Sequence, residues 1–110
     1  MYTRMTVIRK KPEISTEDFR HFMEIDYGPT YVGLPETREY IQYYLTDVMT
    51  DEAELPIDAI VQISFDSEEE MKKALQADSY KKAAKRRENY MRETSVGVHS
   101  AVVDKTLKLV

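Results

Sequence analysis

The chain has 110 residues, enough for one domain with one hydrophobic core and too few for two. Its 16 Lys and Arg residues face 20 Asp and Glu residues, and the net charge of -4 argues against nucleic acids and anionic membranes as partners. Cysteine is absent, which excludes disulfides and thiolate sites and favours a reducing, cytoplasmic location. No stretch has the pattern of a signal peptide or a bilayer span, so we expect a soluble single domain over residues 1–110.

The first half of the chain predicts a strand, a helix and a second strand. Residues 3–10 alternate in the manner of a strand. Ser15 can cap a helix that runs to about Tyr27, where the Gly-Pro pair at 28–29 breaks or restarts it. Residues 38–48 are rich in aromatic and β-branched side chains and predict the second strand.

A loop, a third strand and a capped helix follow. Residues 49–58 are acidic and aperiodic, which is typical of a loop, and residues 59–65 are mainly apolar and predict a strand. Ser67 and Glu70 have the spacing of a capping box just before apolar positions at helical spacing. A helix should therefore begin at Ser67.

The last part of the chain predicts an interrupted helix and a fourth strand. The helical pattern slips around residues 77–79 and then resumes to about Met91. Residues 95–110 carry β-branched side chains at strand spacing and predict a strand followed by a terminal arm. The order βαββαβ predicts an α+β, ferredoxin-like domain in which both helices cover one face of a four-stranded antiparallel sheet.

Apolar side chains on both faces of the strands predict that a second copy covers the other face. Strand two has Tyr43 on one face and Tyr44 on the other, and we assign Val48 to the face of Tyr44. A monomer exposing such a face would carry a large apolar patch. A two-fold homodimer buries the same surface on both chains, so we expect one.

Several short motifs resemble the EthD-like members of the dimeric α/β-barrel superfamily. They are the run at 16–20 into a helix, the Gly-Pro pair at 28–29, Pro35 and the aromatic strand at 40–43. The resemblance implies a homodimer whose facing sheets form a barrel, with a ligand cavity in each chain between sheet and helices. It also implies relatives such as cofactor-free lactone isomerases, polyketide cyclases, monooxygenases and proteins of ether-degradation gene clusters. The family commonly has histidine at the position of Tyr27, so this chain lacks the side chain that an imidazole mechanism at that position would need.

Asp26 and Tyr27 are the first candidate catalytic residues. In a regular helix Asp26 falls within the stripe that contains Phe22, which predicts a carboxylate facing the core. A buried carboxylate has a raised pKa and can act as a general base, whereas the alternative is a solvated helix end. Arg87 falls on the inner stripe of the last helix. It either pairs with Asp26 and binds ligand, or covers apolar surface with its stem and extends its charge to water. The same two alternatives apply to Arg4 on strand one.

His99 on strand four is the second candidate base, because an imidazole titrates near neutral pH. The alternative is a structural histidine on a strand. Two histidines without ligand spacing do not predict a metal site, although the resemblance leaves haem ligation by His99 open. We expect no metal and no cofactor.

Strand residues supply the predicted binding wall. Tyr40 and Tyr44 share one face of strand two and either pack in the core or orient a ligand carbonyl. Gln62 lies opposite Val61 on a central strand and is expected to be buried and hydrogen-bonded. The basic run at 81–89 has the pattern of a solvated helix face.

These residues together favour a cofactor-independent enzyme that transfers a proton next to a carbonyl of an apolar, oxygenated small molecule. Asp26 or His99 would be the base, and Tyr27 with Tyr40 or Tyr44 would stabilise the developing oxygen charge. A non-catalytic dimer that binds a hydrophobic ligand is the alternative from another class. A monooxygenase is the third possibility.

Overall fold

Within residues 1–46, 48, 56–92 and 97–110, which the computed structural model describes, four antiparallel strands form one sheet. The strands are β1 (Tyr2–Ile8), β2 (Glu39–Tyr44), β3 (Ala59–Phe65) and β4 (Val98–Val102), and their order in the sheet is β2-β3-β1-β4. The first helical connection contains α1 (Thr16–Phe22), a π-helical turn (Met23–Tyr27) and α2 (Gly28–Val32). The second contains α3 (Glu68–Ala74), α4 (Asp78–Arg86) and a 3-10 turn (Arg87–Asn89). The predicted ferredoxin-like βαββαβ order is confirmed.

The predicted strand bounds agree best with the structure at the centre of the sheet. Strand β3 has the predicted bounds, whereas β2 ends at Tyr44, four residues before the predicted end. Val48 is 99% exposed and lies beyond β2, so its assignment to a face of that strand is wrong. The predicted loop at 49–58 lies mostly outside the described residues.

Both predicted helix starts are confirmed by their caps. Ser15 Oγ accepts from the backbone N–H of Asp18 at 3.0 Å, and Ser67 Oγ accepts from that of Glu70 at 3.2 Å. The predicted interruption of the second helix is also present, because α3 ends at Ala74 and α4 begins at Asp78.

The first helix does not end at Tyr27 as the Gly-Pro pair suggested. Gly28 keeps helical dihedrals, φ -59° and ψ -48°, and its N–H donates to the carbonyl of Met23, five residues earlier. Pro29 has no N–H and its ring would crowd the preceding turn of a regular α-helix. The wider π-helical turn accommodates Pro29 in the first turn of α2, so the chain stays helical to Val32.

The hydrophobic core lies between the sheet and the helices. Strand residues Ala59, Val61 and Ile63 pack there against Phe19 and Phe22, and the Phe22 ring stacks on Tyr90 at 4.0 Å between centroids. In the described part of the chain, the other face of the sheet has no helix over it. That outer face presents both apolar and polar residues at facing register positions: Met5, Val7, Ile41, Tyr43, Ile60 and Ala101 are apolar or aromatic, and Thr3, Glu39, Gln62, Ser64 and His99 are polar or charged. None of the described helices has the length and apolar character needed to cross a bilayer.

Candidate functional site

A small chamber lies between the sheet and the helices, with a volume of about 20 Å³. Ile8, Val61 and Ile63 form its apolar floor. The polar groups around it come from both layers: Arg4, Thr6 and Ser100 from the strands, and Tyr27, Tyr31 and Arg87 from the helical layer. Such a volume holds about one water molecule or one ligand oxygen.

Three side chains of the helical layer form a buried hydrogen-bonded chain. The hydroxyls of Tyr27 and Tyr31 are 2.7 Å apart, and Arg87 Nη1 donates to the Tyr27 hydroxyl at 3.3 Å. The two hydroxyls hold two protons, but only one proton can lie between them. Because arginine has no acceptor, and no other acceptor for these hydroxyls occurs among the described residues, one hydroxyl proton remains available to a ligand.

Burial and neighbouring phenols set the protonation states of Tyr31 and Arg87. Burial, followed by the contact with Tyr27, raises the pKa of Tyr31 well above its ordinary value. Burial is the largest single influence on the pKa of Arg87 and acts to lower it, but the neighbouring Tyr27, Tyr80 and Tyr31 together outweigh burial, and the net pKa lies above the ordinary value. Near neutral pH Tyr31 is therefore a neutral phenol and Arg87 is a charged guanidinium, so both can donate hydrogen bonds and neither acts as a base.

A second cation borders the chamber from the sheet. Arg4 Nη1 donates to Met71 Sδ at 3.3 Å, and Arg4 Nε is buried without a hydrogen-bond partner among the described residues. A buried unsatisfied donor is unfavourable unless a ligand or water pairs with it. The chamber is thus rich in donors and suits an oxygen atom that carries or develops negative charge.

The structure places Asp26 outside this chamber. Its carboxylate accepts from Arg86 Nη2 at 2.6 Å and from Arg86 Nε at 3.0 Å, and its side chain is 40% exposed. The π-helical turn adds a residue to the turn, which moves Tyr27 onto the inner face and Asp26 off it. The predicted inward-facing carboxylate of Asp26 is therefore wrong, and Asp26 pairs with Arg86 and not with Arg87.

His99 and Gln62 lie on the outer face of the sheet, opposite the chamber. His99 is exposed and pairs with Val7 in the register of β4 and β1. Gln62 is hydrogen-bonded, as expected, but it is only partly buried and donates to Glu39 Oε1 at 2.7 Å. The structure does not bring either residue to Tyr27, and the described lining of the chamber contains no Asp, Glu or His.

Tyr40 and Tyr44 face the helices and form a second network around Gln42. Gln42 Nε2 donates to the Met23 carbonyl at 2.8 Å and to the Tyr40 hydroxyl at 3.1 Å, and the Tyr44 hydroxyl donates to Gln42 Oε1. Burial raises the pKa of Tyr40 above its ordinary value and that of Tyr44 to about 12. Tyr40 reaches the site through its ring, which stacks on Tyr31 at 5.2 Å, and this contact positions the buried phenol pair.

Sequence reasoning missed Tyr31, Thr6 and Ser100. Tyr31 follows Tyr27 by four residues, the spacing that brings two side chains together on a helix. A helix continued through the Gly-Pro pair would have revealed that relationship. Thr6 and Ser100 are cross-strand partners whose hydroxyls are 2.8 Å apart, and only the sheet register shows the pairing. No group of three or more metal-binding side chains occurs in the described part of the chain.

Solved structures show the same fold at low sequence identity. An ethyl tert-butyl ether D (EthD) family protein from Bacillus halodurans C-125 is 14% identical, with a TM-score of 0.72 and coverage of 96% of this chain and 100% of that chain. A dimeric ferredoxin-like protein from Thermobifida fusca YX is 11% identical, with a TM-score of 0.68 and coverage of 93% and 88%. A provisionally assigned antibiotic biosynthesis monooxygenase from Nitrosomonas europaea is 11% identical, with a TM-score of 0.69 and coverage of 97% and 100%.

The chain is therefore a protein of the ferredoxin-like fold class, and it shares this fold with these neighbours. No curated protein sequence matches the chain. The family model of the EthD domain matches residues 11–94, which is most of the chain. The chain belongs to the EthD family.

Proposed function

We propose that the protein binds an oxygenated small molecule with its carbonyl oxygen in the chamber and promotes proton transfer next to that carbonyl without a cofactor. The observation that carries this proposal is the available hydroxyl proton of the Tyr27–Tyr31 pair beside the charged Arg87. Donors fixed in a buried site stabilise the negative charge that a carbonyl oxygen gains when a neighbouring carbon loses its proton. Tyr27 keeps the role predicted from the sequence, and Arg87 joins it at the oxygen.

The proposal replaces Asp26 and His99 as bases. Asp26 is paired with Arg86 away from the chamber, and His99 lies on the opposite face of the sheet. With no carboxylate or imidazole in the described lining, water accepts the substrate proton in this proposal. Water is a weak base, so the substrate must itself be an acidic carbon acid, such as a 1,3-dicarbonyl compound.

We also propose that the active form is a homodimer joined through the outer face. Tyr43 and Ile60 are cross-strand partners on this face, and Tyr43 is 43% exposed in the single chain. Covering such a face removes apolar area from water. The Thermobifida fusca neighbour is described as dimeric, which supports a dimer for this chain as well.

Hydrogen-deuterium exchange at carbon provides the test. We expect the protein to accelerate exchange at the central carbon of benzoylacetone in D2O above the buffer rate, as followed by NMR. Tyr27→Phe and Arg87→Gln should each lower that acceleration about tenfold or more, because single oxyanion donors are typically worth at least that much. Asp26→Asn is the matched control and should stay within about twofold.

The other outcomes separate the competing functions. Binding of benzoylacetone without accelerated exchange would support a non-catalytic ligand-binding dimer. Oxygen uptake that depends on the protein would support a monooxygenase. Neither binding nor exchange would contradict a carbonyl site in the chamber.

A further inference from the structure

Arg87 lies at the boundary between the chamber and a larger cleft. This outer cleft has a volume of about 610 Å³, and Arg87 lines both spaces. Its described lining includes the cations Lys11, Arg87 and Arg92, the acid Glu88, and the apolar residues Met91 and Val98. The chamber can hold only one oxygen or water, so the rest of any ligand must occupy an adjoining space. The outer cleft is such a space.

The described lining of the outer cleft is locally positive although the protein is negatively charged. Its described lining has three cationic side chains and one acidic one, whereas the whole chain has a net charge of -4. Within the described residues, no ion pair joins Lys11 or Arg92 to a carboxylate. Cations collected in a concave site raise the local concentration of anions.

Backbone contacts hold the Arg92 guanidinium and the main chain of Lys11 in place. Arg92 Nε donates to the Lys10 carbonyl at 2.8 Å, which leaves its terminal nitrogens without a described protein partner. The backbone N–H of Lys11 donates to the Tyr90 carbonyl at 2.8 Å. The strand end and the segment after the 3-10 turn are therefore tied together, and the two side chains lie on one cleft.

We propose that the outer cleft binds a carboxylate of the same ligand whose carbonyl oxygen enters the chamber. The ligand class is then a carboxylated carbonyl compound in which an apolar spacer joins the two groups. Lys11 and Arg92 bind the carboxylate, Met91 and Val98 contact the spacer, and Arg87 separates the two subsites. Guanidinium groups bind carboxylates through paired hydrogen bonds, which suits Arg92 to this role. This inference rests on the proposed function, because it takes the chamber as the carbonyl subsite.

A pair of probes that differ only in charge tests the inference. We compare 6-acetyl-2-naphthoate (naphthoate) with 6-acetyl-2-naphthamide (naphthamide), which share a ketone on the same apolar ring and differ in the charge of the second group, by isothermal calorimetry on the full chain. Lys11→Gln and Arg92→Lys should each weaken naphthoate binding about fivefold or more, and naphthamide binding should change less than about twofold. Lys73→Gln on exposed α3 is the matched control and should leave both affinities unchanged. The affinity for naphthoate should also fall as salt concentration rises.

The results distinguish this inference from the proposed function. If Tyr27→Phe weakens naphthamide while Lys11→Gln and Arg92→Lys leave naphthoate unchanged, the anion subsite is wrong and the chamber stands. If the cleft variants weaken naphthoate selectively but Tyr27→Phe affects neither probe, the anion subsite stands and the carbonyl chamber fails. Equal weakening of both probes by Lys11→Gln and Arg92→Lys overturns the inference, as does the absence of naphthoate binding to the wild type.

Discussion

Arg86 binds Asp26 through both its Nε and Nη2 atoms, with a shortest distance of 2.6 Å from Nη2 to Oδ1. The ion pair joins α4 to the π-helical turn across the outside of the helical layer. The next residue, Arg87, points inward to Tyr27. Of these two adjacent arginines, Arg86 thus forms a surface ion pair, whereas Arg87 belongs to a buried hydrogen-bonded group.

The ion pair should contribute little to stability or function. Both side chains are about two-fifths exposed, so water and salt screen their attraction. We expect Asp26→Asn and Arg86→Gln each to lower the free energy of unfolding by about 1 kcal/mol or less, as measured by urea denaturation. The double variant should lose no more than either single variant, since both remove one interaction. Loss of carbon-acid exchange in Asp26→Asn would instead restore Asp26 as the base.

Gly28 should be required because the first helix approaches β2 closely at this point. A Cβ at Gly28 would lie 2.6 Å from Gln42 Nε2 and 2.8 Å from the Met23 carbonyl oxygen, and the backbone oxygen cannot move independently. We expect Gly28→Ala to lower the free energy of unfolding by about 1–3 kcal/mol. Gly33→Ala is the control, because its nearest contact would be 3.4 Å, and it should change stability by about 0.5 kcal/mol or less. Equal effects of the two changes would argue against the close approach.

A charge on the outer face should separate the proposed dimer. We expect the wild type to show twice the 12.9 kDa chain mass by light scattering at micromolar concentration. Tyr43→Asp should shift the mass toward one chain, because an unpaired carboxylate would be buried against the second sheet. Ile25→Asp, at a 64% exposed position in the helical layer, should leave the mass unchanged. A folded wild-type monomer would remove the argument for a sheet-to-sheet dimer.

Stability should decline at alkaline pH because of the buried tyrosines. Burial raises the pKa of Tyr31 and Tyr40 above the ordinary value and that of Tyr44 to about 12. Tyrosines of the unfolded chain ionise near pH 10, so above about that pH the folded state binds more protons than the unfolded state. The stabilisation is complete below about pH 10 and is lost as pH rises through the folded values.

The slope of stability against pH provides the measurement. Urea denaturation from about pH 8 to about pH 11 should show a decline that is smaller in Tyr31→Phe than in the wild type. The phenylalanine variant will also lose the hydrogen bond to Tyr27, so its stability at pH 8 is compared separately. Identical slopes would show that Tyr31 is not protected by burial.

Local signals in the sequence predicted the framework well. Hydroxyl caps at Ser15 and Ser67 and the mainly apolar composition of β3 depend on neighbouring residues alone, so the sequence displays them directly. The motifs around the Gly-Pro pair also indicated the EthD family, which the match over residues 11–94 confirms. The order of these elements was sufficient to predict the ferredoxin-like arrangement.

By itself, the sequence determined the order of elements, their starts and the family, because caps and hydrophobic periodicity act over a few residues. Tertiary structure decided the site. A single π-helical turn, whose Met23 carbonyl is held by Gln42 from the neighbouring strand, exchanged Asp26 for Tyr27 on the inner face. The sheet register placed Thr6 beside Ser100, and helix packing directed Arg87 inward and Arg86 outward. Each of these contacts joins residues that are distant along the chain, so their geometry depends on how the layers pack.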